Sequence, residues 1–179
     1  MTLFLPRRLA PTLERLARGF PVLTITGPRQ SGKTTLARNL FGDRPYVSLE
    51  DPVERAFAAE DPRGFLARFR QGAVFDEAQR WPDLFSHLQG LVDAERVPGR
   101  FVLTGSQQFN LMAGIGQSLA GRVGVTRLLP LALEELPEAS LSTLSADDAI
   151  LRGGYPALLD PRVDPQDWFA SYGATYLER

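Results

Sequence analysis

The chain has 179 residues, with 20 Lys plus Arg against 21 Asp plus Glu, one histidine and no cysteine. That length supports one ordinary domain with at most a small appendage, large enough to bury a core without disulfides or a structural metal. The missing cysteines exclude disulfides, thiolate zinc sites, iron–sulfur clusters and cysteine nucleophiles; the lone His87 excludes a histidine-rich metal site; and a net charge of −1 gives no global field for nucleic acid.

No apolar run is long enough for a transmembrane helix. The start, MTLFLPRRLAP, carries its arginines after a short apolar stretch, which is not the order of a signal peptide. The expected location is therefore the cytoplasm, with no membrane contact.

Residues 1–20 are expected to hold a surface helix, because Leu9, Leu13 and Leu16 recur at helical spacing. Arg7, Arg8, Arg15 and Arg18 on that segment read either as a DNA-contacting cluster or as a solvated face. PVLTIT at 21–26 is a short β-branched run ending at Gly27, hence a buried strand, and residues 33–41 look helical. YVSLE, near 46–50, is a second strand. In the segment that follows, Asp51 is an N-cap, Pro52 takes the first helical position and Glu54 completes a capping box. A further short helix follows Asp61-Pro62.

AVFD at 73–76 is a third strand, and Pro82 opens a helix with Leu84, Leu88, Leu91 and Val92 on one face. RFVLTGS at 100–106 is a fourth strand, and 121–131 holds a fifth. Strands alternating with helices predict a three-layer α/β fold with a mostly parallel sheet, its main domain spanning 21–131. A short helical tail is expected over 132–159. DPRVDPQ reads as a linker within 160–179, followed by a helix with Trp168, Tyr172, Thr175 and Tyr176 on one face. That aromatic face is expected to be the start of a truncated C-terminal domain, since no later segment of this sequence is left to bury it.

The strongest motif is Gly27-Pro28-Arg29-Gln30-Ser31-Gly32-Lys33-Thr34, which fits G-x-x-x-x-G-K-[ST] at every fixed position. Its glycines let successive backbone N–H groups turn toward a phosphate, and the helix beginning there adds its dipole. Lys33 is expected to reach the β- and γ-phosphates, Thr34 to bind Mg²⁺ through its hydroxyl, and Thr35 to contact the α-phosphate. Asp76 and Glu77 end an apolar strand. Asp76 is expected to hold the magnesium shell, and Glu77 to orient or deprotonate the attacking water. At the end of the fourth strand, Ser106 is the first candidate for sensing the γ-phosphate, with Thr104 second. Arg122 reads either as an arginine finger, in cis or from a neighbour, or as a surface salt-bridge partner. Gln79, Arg80 and Trp81 read first as a capped turn before Pro82, and second as residues that sense the γ-phosphate or contact a partner.

Guanine-specific sites use an Asn-Lys-x-Asp segment, and the only lysine here stands in the phosphate loop. ATP is therefore the expected nucleotide. The carboxylate pair Asp76-Glu77 favours hydrolysis with water over transfer to a small molecule.

GPRQSGKTTL, YVSLEDP, VFDEAQRWPDLF, FVLTGSQQFNL, SLAGRV, LLPLALEEL, GGYPALL and WFASYGATYLER follow one another in this chain. In that order it resembles, over nearly its whole length, a group of prokaryotic AAA-type ATPases. In that group an N-terminal P-loop ATPase precedes a C-terminal domain related to restriction-endonuclease-like folds. The resemblance implies nucleotide binding on Gly27 to Thr35, magnesium on Asp76, hydrolysis on Glu77, sensing on Ser106 and a functional arginine at Arg122. It also implies that a second domain begins near Arg179, whose activity does not carry over to these residues.

The expected function is a slow ATP hydrolase that drives or gates a partner protein or its own C-terminal domain, with oligomerisation open. The alternatives are a nucleotide-switched binding module with little turnover and a DNA-associated ATPase.

Overall fold

A computed structural model describes residues 4–106, 116, 118–138 and 145–177. The QQFNL stretch at 107–111 and positions 139–144 of the expected helical tail lie outside the described residues.

Five parallel strands form one sheet: β1 (Val22–Thr26), β2 (Tyr46–Ser48), β3 (Ala73–Asp76), β4 (Phe101–Gly105) and β5 (Val123–Arg127), in the order β2-β3-β4-β1-β5. The three inner strands β3, β4 and β1 are buried at every position, as a sheet covered by crossover helices requires, while the edge strands β2 and β5 are partly exposed. Along β1, Val22 joins one apolar cluster while Leu23 and Ile25 join the other. Phe101 and Leu103 of β4 divide from Val102 in the same way.

On one face lie α1 (Ala10–Ala17) and α2 (Lys33–Leu40), which bury Leu13, Leu36 and Ala37. On the other lie α3 (Pro52–Glu60), α4 (Pro62–Ala67) and α5 (Leu84–Ala94). That side is rich in phenylalanine: Phe65 sits 5.4 Å edge-on from Trp81 and Phe69, and Phe75 stacks on Phe101 at 6.1 Å. The predicted three-layer α/β architecture is the observed one, and every strand pairing is parallel.

α1 buries Leu13 at 0% exposure while Pro11, Glu14 and Arg15 stay exposed, so one face of this surface helix packs on the core. Asp51 caps α3 by accepting the Val53 N–H at 2.8 Å, but the reciprocal half of the expected box is absent. Glu54 turns instead to Arg68, 2.9 Å away on the segment following α4.

The tail continues through a 3₁₀ turn at Leu133–Glu135, α6 (Ala146–Arg152), a second 3₁₀ turn at Pro156–Leu159 and α7 (Pro165–Tyr172), which runs into a π turn at Gly173–Leu177. The expected linker is therefore partly a helix start. Asp164 accepts the N–H groups of Gln166 and Asp167, and Pro165 occupies the first position of α7. No helix among the described residues is long and apolar enough to cross a membrane.

Candidate functional site

The site gathers at the carboxyl ends of β1, β3 and β4, the position where open α/β sheets accept ligands. The loop from Gly27 to Gly32 joins β1 to α2. Gly27 has φ 146°, and a Cβ there would stand 2.1 Å from the Leu128 carbonyl oxygen. Gly32 has φ 94° and is the N-terminal flank of α2. Both positions need conformations that side chains resist.

Lys33 is 5% exposed, and its Nζ donates to the Pro28 carbonyl at 2.8 Å. Burial lowers its pKa, the carboxylates of Glu77 and Asp76 push back, and Arg29 lowers it further. A cation held this way gains most from an anion that enters the same cleft.

The Thr34 hydroxyl faces both oxygens of Asp76, at 3.1 and 3.0 Å. Asp76 also accepts the Tyr46 hydroxyl at 2.7 Å and the Thr104 hydroxyl. Burial first, and then the bond to Asp76, raises the Tyr46 pKa far above its ordinary value, so the phenol stays protonated and donating. Thr104, the second choice for a sensing residue, is thus committed to the acid.

Glu77 adopts φ 53°, a left-handed conformation that a non-glycine residue rarely takes and that clusters at functional sites. Its carboxylate accepts from Ser106 Oγ at 3.1 Å and from the Gln79 amide. Residues Lys33, Thr34, Asp76, Glu77 and Ser106 therefore come together. Gln30 is likewise left-handed, at φ 60°.

Arg122 does not join them. Its backbone carbonyl accepts the Val22 N–H, which puts it at the opposite end of the sheet, roughly 15 Å of strand away. Its guanidinium holds Asp93 through Nε at 2.5 Å and a second nitrogen at 2.8 Å. This pairing is the salt-bridge option, and it removes the cis arginine finger.

Arg7 is a second correction. It is 8% exposed and lies outside any arginine face on α1. It donates to the Ser31 carbonyl at 2.8 Å, the Leu129 carbonyl at 2.7 Å and Glu135 at 3.0 Å, bracing the phosphate loop from behind. Arg8 pairs with Glu134 at 3.5 Å. The cluster proposed for DNA thereby keeps only Arg15 and Arg18 as exposed members without an ion pair among the described residues.

The aromatic face of α7 lies over the cleft. Tyr172 donates to the Arg29 carbonyl at 3.2 Å, and Tyr176 to the Ser106 carbonyl at 3.4 Å. Together with the phosphate loop they line a cleft of about 530 Å³ that also opens on Lys33, Thr34 and Glu77. A smaller apolar cavity of about 110 Å³ adjoins it, lined by Phe4, Leu5, Leu36, Leu131 and Pro156 and reaching Thr35.

Sequence reasoning does not bring Tyr46, Arg7, Tyr172 and Tyr176 to this site, and it ranks a site role for Gln79 second to that of a turn residue. The helical spacing of Tyr172 and Tyr176 was visible in the sequence, but nothing there says which surface they cover. Arg7 carries no signal that separates it from its neighbour Arg8.

Magnesium is the metal that a phosphate loop implies, and the donors fit it. Thr34 and Asp76 would hold it, since they offer hard oxygen donors that already face each other. No cluster of three or more His, Cys, Asp or Glu exists among the described residues.

The AAA domain family matches residues 19–137. An uncharacterized protein of Mycobacterium tuberculosis and another of Mycobacterium bovis are each 38% identical over 177 residues, covering 97% of this chain. The chain spans 39% of the length of these curated relatives. Among solved structures, the Walker-type ATPase of Pyrococcus abyssi aligns with TM-score 0.63 and 17% identity, over 98% of this chain and 68% of that one. AMPPCP-bound DnaA from Aquifex aeolicus aligns with TM-score 0.53 and 15% identity, over 98% and 64%. These likenesses place the chain within the P-loop ATPase fold.

Proposed function

Because the chain belongs to the AAA domain family, we propose that it binds ATP with Mg²⁺ and hydrolyses it to drive or gate a partner protein or a further part of a longer chain. The observation that carries this is the Thr34 hydroxyl set against both oxygens of Asp76, with Lys33 and Glu77 opening into the same cleft.

The triphosphate lies along the backbone N–H groups of Gly27 to Thr35, with Lys33 at its β- and γ-phosphates. The adenine enters the apolar cavity beside Thr35, between Phe4, Leu5 and Pro156. Thr34 and Asp76 hold the metal, which when bound supplies positive charge to the phosphate oxygens. A water oxygen attacks the γ-phosphorus while the bond to the bridging oxygen breaks, and ADP leaves with that electron pair. Glu77 orients the water and accepts its proton, held in place by Ser106 and Gln79. Catalysis of this kind rests on position and electrostatics rather than a covalent intermediate.

Phosphate release and equilibrium binding of a fluorescent ATP analogue test the reading. Lys33→Ala should lose both, and Glu77→Gln should keep binding while turnover drops at least ~100-fold. If both variants match wild type, the proposal is wrong. The ties from Tyr172 and Tyr176 to the site favour a second reading, a nucleotide-switched module with little turnover. It predicts negligible phosphate release already in wild type, with tight ATP binding.

A further inference from the structure

Arg29 stands at the tip of the phosphate loop, lines the nucleotide cleft and has no carboxylate partner among the described residues. Its guanidinium lies 5.8 Å over the ring of Tyr176, and its carbonyl accepts the Tyr172 hydroxyl. The two tyrosines are themselves fixed. Tyr176 reaches the Ser106 carbonyl, Tyr172 accepts from Tyr155 at 3.4 Å, and Trp168 stacks on Tyr172 at 4.8 Å and 16°. The tail thus grips the loop tip that carries the one cation of this loop other than Lys33.

We propose that Arg29 is the second intrachain cation, beside Lys33, that meets the terminal phosphate, and that Tyr172 and Tyr176 are its positioning residues. The proposal rests on the ATP reading above and adds to it the residue that Arg122 was expected to supply. A guanidinium resting on an aromatic face is held without being neutralised. It keeps its donors for an anion, and its planar fork suits a phosphate better than a carboxylate-paired arginine would. Lys33 approaches the phosphates from the start of α2 and Arg29 from the loop tip, so the γ-phosphate sits between two cations, whereas a diphosphate would reach only the first. Arg29 should therefore discriminate ATP from ADP as well as lower the barrier.

The test compares wild type, Arg29→Ala, Arg29→Lys, Tyr176→Leu and Tyr176→Phe, each checked by thermal unfolding. ATP and ADP affinities are read with fluorescent analogues, and turnover is read by phosphate release. Arg29→Ala should weaken ATP about tenfold while ADP stays within about twofold, and should lower kcat on the order of 100-fold. Arg29→Lys should recover only part of the loss. Tyr176→Leu should lower kcat more than it raises KM, and Tyr176→Phe, which keeps the ring beneath the guanidinium, should restore most of it. An unchanged ATP-to-ADP preference in Arg29→Ala overturns the proposal, as does a Tyr176→Leu variant with wild-type kcat. If wild type binds ATP without turnover, the affinity ratio alone decides. A wild type that binds no ATP overturns the ATP reading instead.

Discussion

At the scale of residues, the site is organised around one carboxylate. Asp76 receives hydroxyls from Thr34, Tyr46 and Thr104, drawn from α2, β2 and β4. Three donors leave little rotational freedom, so the acid is oriented before any ligand arrives. Tyr46→Phe removes one donor and keeps the ring, over which Arg38 lies at 4.8 Å. The expected outcome is about a tenfold rise in the Mg²⁺ concentration that supports half-maximal turnover, with little change in thermal stability. An unchanged magnesium titration would detach Tyr46 from the metal site. Glu77 illustrates a different constraint. Its left-handed backbone costs about 1 kcal/mol or more, and that conformation sends the side chain toward Ser106 and Gln79. The acid pair was legible in the sequence because a strand ending in Asp-Glu is local. The ring of hydroxyls around it was not, since Tyr46 and Thr104 arrive from other strands.

At the scale of elements, short polar signals decide where helices begin. Asp51-Pro52, Asp61-Pro62 and Asp164-Pro165 each place an aspartate cap before a proline at the first helical position. The first two read as helix starts from sequence alone. The third lies in DPRVDPQ, where Pro161 and Pro165 together read as a linker; only Asp160-Pro161 makes a turn, with Arg162 folded back onto Asp160. The 3₁₀ turn at 133–135 has a task that its sequence conceals. Its Glu135 holds Arg7, which holds the phosphate loop. Burial alone would raise the Glu135 pKa, but the N–H groups of Arg8 and Ala132 and the Arg7 guanidinium outweigh it, so the value lies below the usual 4.5. A carboxyl lowered in the native state contributes stability that is fully present above its unfolded pKa and lost as pH falls through the native one. Wild type should therefore exceed Glu135→Gln by about 3 kcal/mol near neutrality, because the variant leaves Arg7 buried without its counterion. Denaturant unfolding across pH should find that gap constant above about pH 5 and shrinking in acid. A gap that ignores pH would mean that the carboxylate charge plays no part.

At the scale of the whole molecule, the sheet order is what assembles the site. β4 lies between β1 and β3, so Thr104 and Ser106 end between the phosphate loop and the acid pair. The same parallel register sends Arg122 to the far end, since it precedes β5 just as Pro21 precedes β1. A ligand that binds only the folded chain stabilises it by mass action, about 2.7 kcal/mol at 100 times its Kd. For a domain of this size that corresponds to an upward Tm shift of roughly 5–10 °C with Mg-ATP. Lys33→Ala should abolish the shift while keeping a cooperative transition. A shift that persists in that variant would place the nucleotide elsewhere.

The sequence by itself determined the local pattern: the phosphate-loop motif, the acids closing a strand, the alternation of strands and helices, and the sole lysine standing inside that motif. These are legible because each depends on residues a few positions apart. Tertiary structure alone decided that Arg7 is a buried brace, that Arg122 belongs to a surface pair, and that the aromatic face of α7 covers the nucleotide cleft. Each of those outcomes depends on which strand lies beside which and where a distant segment returns. An arginine or a tyrosine has the same local signature in either case, and only its neighbours in space distinguish a solvated charge from a clamp.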